Sequence, residues 1–522
     1  MGILEYVGSA SRGHNSLRAL LLFAIALLLA VASAAPASAA CAQAAPSVNS
    51  STGKTEINLG NCVGSDQAWA VEYDSSVSQA TFYPDLNANY WVTSVPSLKG
   101  QGAHWELRGS MPDARFASFQ SYSLTGETMD GVFDEDFPVD AGSTNWISAS
   151  GQYPGASAVR YTVPVVQTYG QPEASSSLNI DGEVLESSLG GVATLAYRVY
   201  PNRQPNGSAP TGGLAAQRWT ARGQVDLPEL VYVIDNPSLA TFSGSDEIVD
   251  ARRAASIVPA ILSGVEAVAD ALSPVLAAYP EATDKLWNDP VNWEANEGLS
   301  TNLKKMISPT RAPLAALLWQ SAVGRLPNFT AFPNDATRYY VGGVSPGLGQ
   351  VLVTRFKAPT TPEPDAGDAM LATGESDKQL RYWSACLNNT LTLYVTGCLK
   401  DSQVKLDPSG YATLVSTSTS AAPKGMNGAP AANWLRHGSP NELLLIRQTL
   451  ASPSFTQSIN FYDGPADDAD ALRQHSGAFA PVSTYCSLNN FRYNDCRWKF
   501  STYQEWLYAL VGSSSFSRIH PR

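Results

Sequence analysis

Hydrophobic and polar positions divide this chain into two strand-rich stretches and one stretch of different character. Short apolar runs bounded by Gly, Pro and Asp dominate residues 41–245 and 329–522, a pattern of many short strands. Between them, DEIVDARRAASIVPAILSGVEAVADALSPVLAAYP sets Ile248, Ala255, Ile257, Ile261, Val265, Val268 and Leu272 at near-helical spacing, with a kink expected at Pro259. STNLKKMISPTRAPLAALLWQSAVG adds helical pieces broken at Pro309 and Pro313, and STYQEWLYALVGSSS predicts a short helix near the C-terminus. The expected fold class is mainly β with an α insertion. Two related β-sandwich, jelly-roll-like domains, at 41–245 and 329–522, flank a helical insert at 246–328.

The two strand-rich parts share an ordered pattern. Residues 82–122 and 332–388 both open on Phe, Pro and Asp, then carry an aromatic pair, Tyr90-Trp91 or Tyr339-Tyr340. Each continues to a run ending in Arg-x₃-Pro, at Arg108/Pro112 and Arg355/Pro359. Each then reaches an Arg-aromatic-x-Ser step, from Arg115 to Ser118 and from Arg381 to Ser384. Strands around Arg198 and Arg447 follow in the same order. This recurrence predicts a duplication, with the strands of Arg108, Arg115 and Arg198 in the sheet positions of those of Arg355, Arg381 and Arg447.

Within LRYWSACLNN, residues 380–389, strand alternation places Arg381, Trp383 and Ala385 on one face and Tyr382, Ser384 and Cys386 on the other. A face that carries a half-cystine and an aromatic reads as core. That turns Arg381 and Trp383 toward the insert or a cleft between the domains, with Trp383 buried there.

Composition agrees with this picture. At 522 residues the chain is too long for a single core. Its 12 Trp, 22 Tyr, 40 Gly and 34 Pro favour short strands over a helical bundle. The N-terminus reads as a cleaved signal peptide over residues 1–40. Arg12 and Arg18 form a basic region, Ala19 to Ala32 an apolar run, and Ala37, Ser38 and Ala39 a small-residue cleavage site. The expected location is therefore secreted or extracellular, with no transmembrane anchor after cleavage. All six cysteines follow the signal, which predicts disulfides. Their clustering favours local pairs: Cys41 with Cys62, Cys386 with Cys398, and Cys486 with Cys496. A formal net charge of −12 excludes the positive footprint that a nucleic-acid partner needs.

The C-terminal half carries a resemblance. FPNDATRYYVGGVSPGLGQVLVTRFKAPTTP, QLRYWSACLNN, DPSGYATLVSTS and NWLRHGSPNELLLIRQTLASPSF resemble a secreted bacterial family of uncharacterised function, similar to the paired "domain of unknown function" β-sandwich proteins. The resemblance covers residues 330–460 and, more weakly, 80–200. It implies a β-sandwich for each half. Metal-dependent hydrolase activity has been proposed for some members of the wider group, but no catalytic residue maps onto this chain.

Candidate chemistry is sparse. GVSPG matches G-x-S-x-G on Ser345, but a strand-like run follows where a nucleophile elbow needs a helix, so a turn is expected. The acidic run ETMDGVFDEDFPVD offers Asp130, Asp134 and Asp136 as ligands for Ca²⁺ or another divalent metal, without the D-x-D-x-D-G order; a solvated acidic loop is the plainer expectation. Arg115, Arg381, Trp383, Trp434 and His437 are candidate ligand-binding residues, the last two in a loop where an imidazole lies beside aromatics. The arginines are also explained by ring stacking and carboxylate pairing within a duplicated sheet. The function expected is extracellular binding of a small molecule or glycan. The alternative is a secreted hydrolase, metal-assisted in one version, with its site at the cleft between domains.

Overall fold

The computed structural model describes residues 46–201, 227–235, 294–296 and 334–496, less the connecting loops within those spans. The expected signal segment, the expected terminal helix, Cys41, Ser345 and, apart from residues 294–296, the expected helical insert lie outside the described residues. The fold is mainly β. The first half contributes β1 (Ser47–Val48), β2 (Thr55–Asn58), β3 (Val71–Asp74), β4 (Asn89–Pro96), β5 (Ala103–Ser110), β6 (Ala114–Tyr122), β7 (Thr128–Phe133), β8 (Arg160–Thr168), β9 (Leu178–Asp181), β10 (Val192–Pro201) and β11 (Glu229–Ile234). The second half contributes β12 (Glu294–Asn296), β13 (Thr337–Val344), β14 (Val351–Lys357), β15 (Leu380–Asn389), β16 (Val395–Lys400), β17 (Tyr411–Thr417), β18 (Trp434–Arg436), β19 (Glu442–Ala451) and β20 (Val482–Cys486).

These strands form four sheets in two matching pairs. The inner sheets run β3-β4-β10-β6-β7 and β12-β13-β19-β15-β16. The outer sheets share the order β11-β5-β8-β9 and β20-β14-β17-β18, the first extended past β11 by β2 and β1. Both outer sheets place one parallel pair at the same position, β8 with β9 and β17 with β18. Arg108 and Arg355, Arg115 and Arg381, and Arg198 and Arg447 therefore occupy equivalent strands, as the repeat predicts.

Each half is a sandwich around its own core. Trp91, Phe119 and Tyr197 of the first inner sheet pack with Trp105, Val163 and Leu230 of the outer sheet. Trp383, Ile446 and Tyr340 pack with Phe356, Leu414 and Tyr485 in the second half. The outer strand β5 alternates cleanly, burying Trp105 and Leu107 between the partly exposed His104, Glu106 and Arg108, as a sheet with one wet face requires. The inner strands do not alternate. All nine residues of β6 and all ten of β19 are buried, because the inner sheets meet each other across the junction of the halves. Phe116, Tyr200, Tyr382 and Leu450 form the apolar part of that contact.

This layering reverses the faces expected for LRYWSACLNN from Tyr382 onward, while Arg381 reaches the junction of the halves as expected. Trp383, Ala385 and Leu387 enter the sandwich core, where Trp383 meets Phe356 edge-on at 5.4 Å. Tyr382 and Ser384 face the junction. A disulfide next to an aromatic does not mark the core here, since both faces of the strand are buried. Cys386 and Cys398 are directly opposed across β15 and β16 and form a disulfide with Cα atoms 4.1 Å apart. Cys486 and Cys496 form a second. Cys62 is disulfide-bonded as well, its expected partner being the undescribed Cys41. No helix among the described residues is long and apolar enough to cross a membrane.

Candidate functional site

Three of the eight candidate residues, Arg115, Arg381 and Asp134, converge on the junction, where they bind the halves to each other. Arg115, at the start of β6, donates from Nη1 to Asp401 Oδ1 at 2.5 Å and from Nη2 to the carbonyls of Arg381 and Pro362. Arg381, its counterpart on β15, donates to Asp134 and, at 3.0 Å, to Glu135. Asp134 and Asp401 are themselves counterparts, each opening a 3₁₀ turn after β7 or β16. Burial pushes the Asp134 carboxyl up, against the pull of Arg381 and of the Ala117 N–H at 2.8 Å.

The same junction buries Asp85, which accepts the Tyr382 hydroxyl at 2.9 Å and that of Ser384 at 2.5 Å. Arg198 donates to Gln120 and to the Tyr122 hydroxyl, and Arg447 lies 5.6 Å over the Tyr339 ring.

The acidic run is a strand and a 3₁₀ turn rather than a loop, and only part of it is solvated, with Glu127, Asp136 and Asp140 exposed. Asp134 is buried, and Asp130 accepts the backbone and side-chain N–H groups of Asn179 at 2.8 and 2.6 Å. Asp130, Asp134 and Asp136 do not gather at metal-ligand distance. Among the described residues the group that does is Asp85 with Cys386 and Cys398. Its two sulfurs are joined to each other and offer no thiolate. Trp434 and His437 sit on or beside β18 rather than in an open loop. The Trp434 indole donates to Thr417 Oγ1 at 2.9 Å, the His437 backbone N–H donates to the Thr417 carbonyl at 3.0 Å, and His437 is buried.

An open concavity among the described residues lies elsewhere, on the outward face of β14, β17 and β20, with a volume of about 700 Å³. That is within the range of small-molecule sites, roughly 300–1,000 Å³. Alternation on the outer sheet sets its base: Leu352, Phe356 and Leu414 point into the core, which turns Val353, Val415, Thr413 and Arg355 outward, the two valines buried in a second apolar cluster with Val482 and Phe491 and the two polar side chains partly exposed. The segment 429–433 forms one wall, and Phe491 and Asp495, at the end of the helix Leu488–Asn494, form another.

Arg355 is held by three neighbours. It donates to Thr413 Oγ1 at 3.0 Å and to Asp407 Oδ2 at 2.6 Å, and its guanidinium lies 4.5 Å from the Tyr411 ring centroid. The sequence DPSG builds the Asp407 turn. Pro408 presets the corner, Gly410 takes the positive φ of 79°, and Asp407 Oδ1 accepts the N–H groups of Ser409 and Tyr411. Against the upward push of partial burial, the Tyr411 N–H and Arg355 hold the Asp407 carboxyl below its usual range. Lys405 adds a cation to this end, with no ion pair among the described residues.

The equivalent face of the first half is closed by charge. Arg108, the counterpart of Arg355, is gripped by both oxygens of Glu56 on β2, at 2.8 and 3.0 Å, and by Glu106 at 2.6 Å. His104 bridges Asp235 at 2.7 Å and Glu106 at 3.0 Å, and Lys54 pairs with Asp235. Among the described residues no strand in the second half stands where β2 stands in the first. Arg355 therefore meets one half-exposed carboxylate where Arg108 meets two. In the sequence, Arg355 is explained as a sheet brace, and nothing marks Lys405, Asp407, Tyr411 and Asn433 as a group. The available signal was one arginine recurring in both repeats beside different acidic partners.

No family model and no curated protein matches the chain. Among solved structures, it is similar to an uncharacterised protein from Burkholderia cenocepacia, at 12% identity and a TM-score of 0.37, over 74% of this chain and 79% of that one. It is also similar to the VPA0106 protein from Vibrio parahaemolyticus, at 13% identity and a TM-score of 0.31, over 74% of this chain and 89% of that one. Similarity at this level does not bear on what the groove binds.

Proposed function

We propose that this chain is an extracellular binding protein whose small-molecule ligand occupies the groove on the outer sheet of the second half. The observation that carries the reading is the contrast between counterparts. Arg108, at 23% side-chain exposure, is gripped by two carboxylates, whereas Arg355, at 34%, meets one and lines an open concavity. The basic and apolar N-terminal run with its small-residue cleavage site, together with the disulfides, supports export to an oxidising compartment. The duplicated sandwich agrees with the resemblance to paired secreted β-sandwich proteins. Binding is preferred to hydrolysis at the junction because Asp85, Asp134 and Asp401 each accept a hydrogen bond from the opposite half, which commits them to assembly.

The test is native mass spectrometry of the secreted protein after exposure to a panel of extracellular metabolites, beside the groove-filling variant Ala432→Trp, at an exposed position on the lining. A bound adduct in the wild type that is missing in the folded variant supports the reading. An adduct retained by the variant, or a panel member hydrolysed by both proteins, overturns it.

A further inference from the structure

The groove is electrically polarised along its length. Arg355 pairs with Val482 across β14 and β20, and Val351 pairs with Cys486. Asp495 adjoins the second of these positions, because Cys496 is bonded to Cys486. Four residues of strand separate the Arg355 end from the Asp495 end, on the order of 13 Å at ~3.3 Å per residue. The charges lining the space are Arg355, Lys405 and Asp407 at one end and Asp495 at the other. Since Asp407 balances Arg355, the first end keeps the charge of Lys405 and the unused N–H groups of the guanidinium, which carries five donors. Asp495 Oδ1 accepts the Met426 N–H at 2.8 Å, which fixes its carboxylate in the wall. A Cβ at Gly425 would fall 2.6 Å from that same oxygen, so the wall closes this tightly only around glycine. Between the two ends the accessible apolar side chain is Leu406, half-exposed on the lining, with Val353 and Val415 buried beneath.

We propose that the ligand is a short peptide with free termini, its carboxylate at Arg355 and Lys405 and its ammonium at Asp495. This rests on the groove being the binding site, as proposed above. An extended tripeptide spans about 10 Å, at ~3.4 Å per residue, which fits between the charged ends once side-chain reach is allowed for. Its apolar side chains lie against Leu406, Ala429 and Ala432, and capture of both termini is a known mode of peptide recognition.

Isothermal titration of the full secreted chain with Val-Ala-Val, its C-terminal amide and its N-acetyl form tests this. Each cap is expected to weaken binding at least tenfold. Lys405→Gln is expected to weaken the free peptide several-fold and to leave the amide unchanged. Asp495→Asn, which keeps a residue tolerant of the left-handed φ of 53°, is expected to erase the preference for a free amine over the acetyl form. If the free peptide does not bind, or if the three forms bind equally, the peptide assignment is wrong. If a different ligand binds and Ala432→Trp removes it, the groove reading survives that failure. If no ligand responds to Ala432→Trp, both readings fall.

Discussion

Arg115 Nη1 lies 2.5 Å from Asp401 Oδ1, and this pair has a mirror. Arg381 makes the same contact with Asp134 in the opposite direction. Each half thus offers an arginine from the start of an inner strand and an aspartate from the 3₁₀ turn that follows the next strand. The arrangement is that of an isologous dimer interface, carried within one chain. It explains why Arg115 and Arg381 recur in the sequence and why both are buried.

Removing one partner leaves the other charged and buried. Arg381→Ala should therefore cost about 3–5 kcal/mol. The paired replacement Arg381→Met with Asp134→Leu should cost less than the sum of the two single changes, because the uncompensated charge is gone. Urea denaturation of the three variants reads this directly. A single-variant cost near zero would show that the junction does not depend on the pair.

Trp383 is 2% exposed, inside the second sandwich core and edge-on to Phe356. Its truncation to alanine should cost about 3–5 kcal/mol, as other large-to-small core changes do. A thermal melt superimposable on wild type would contradict the core placement.

The His104 network predicts a pH dependence. Burial pulls the His104 pKa down, but its hydrogen bonds to Glu106 and Asp235 outweigh that and raise it above the ordinary 6.5. A raised folded pKa contributes stability fully present below about pH 6.5 and lost as pH rises through the folded value. Glu106 is lowered from 4.5, its pairing with His104 and Arg108 overcoming burial, so its contribution is lost as pH falls through its folded value. The wild type should exceed His104→Gln in melting temperature most clearly below about pH 6.5, with the gap closing as pH rises through the folded value. A gap constant from pH 5 to 9 would mean that His104 does not titrate against these carboxylates.

The repeat, the outer strands and the local disulfide pairing of Cys386 with Cys398 and Cys486 with Cys496 could be read from residue patterns alone, because each leaves a local signature. The faces of β15 could not. Alternation identifies a core face only when the other face meets water, and the inner sheets have none. The acidic run misled for a related reason. Asp134 looks exposed in sequence because its partner, Arg381, comes from the other half, 247 positions away. The groove was hidden differently. Arg355 and Tyr411 are brought together by β14–β17 pairing, Lys405 and Asp407 by the turn before β17, and Asp495 by a disulfide to β20. No single stretch contains them.

Hydrogen exchange measured by mass spectrometry, with and without saturating Val-Ala-Val, tests the central claim most directly. The account predicts added protection in β14, β17 and the segment 425–433, with β5, β8 and the junction strands β6 and β15 unchanged. Protection on β5 and β8 or at the junction, with the groove strands unaffected, would contradict it.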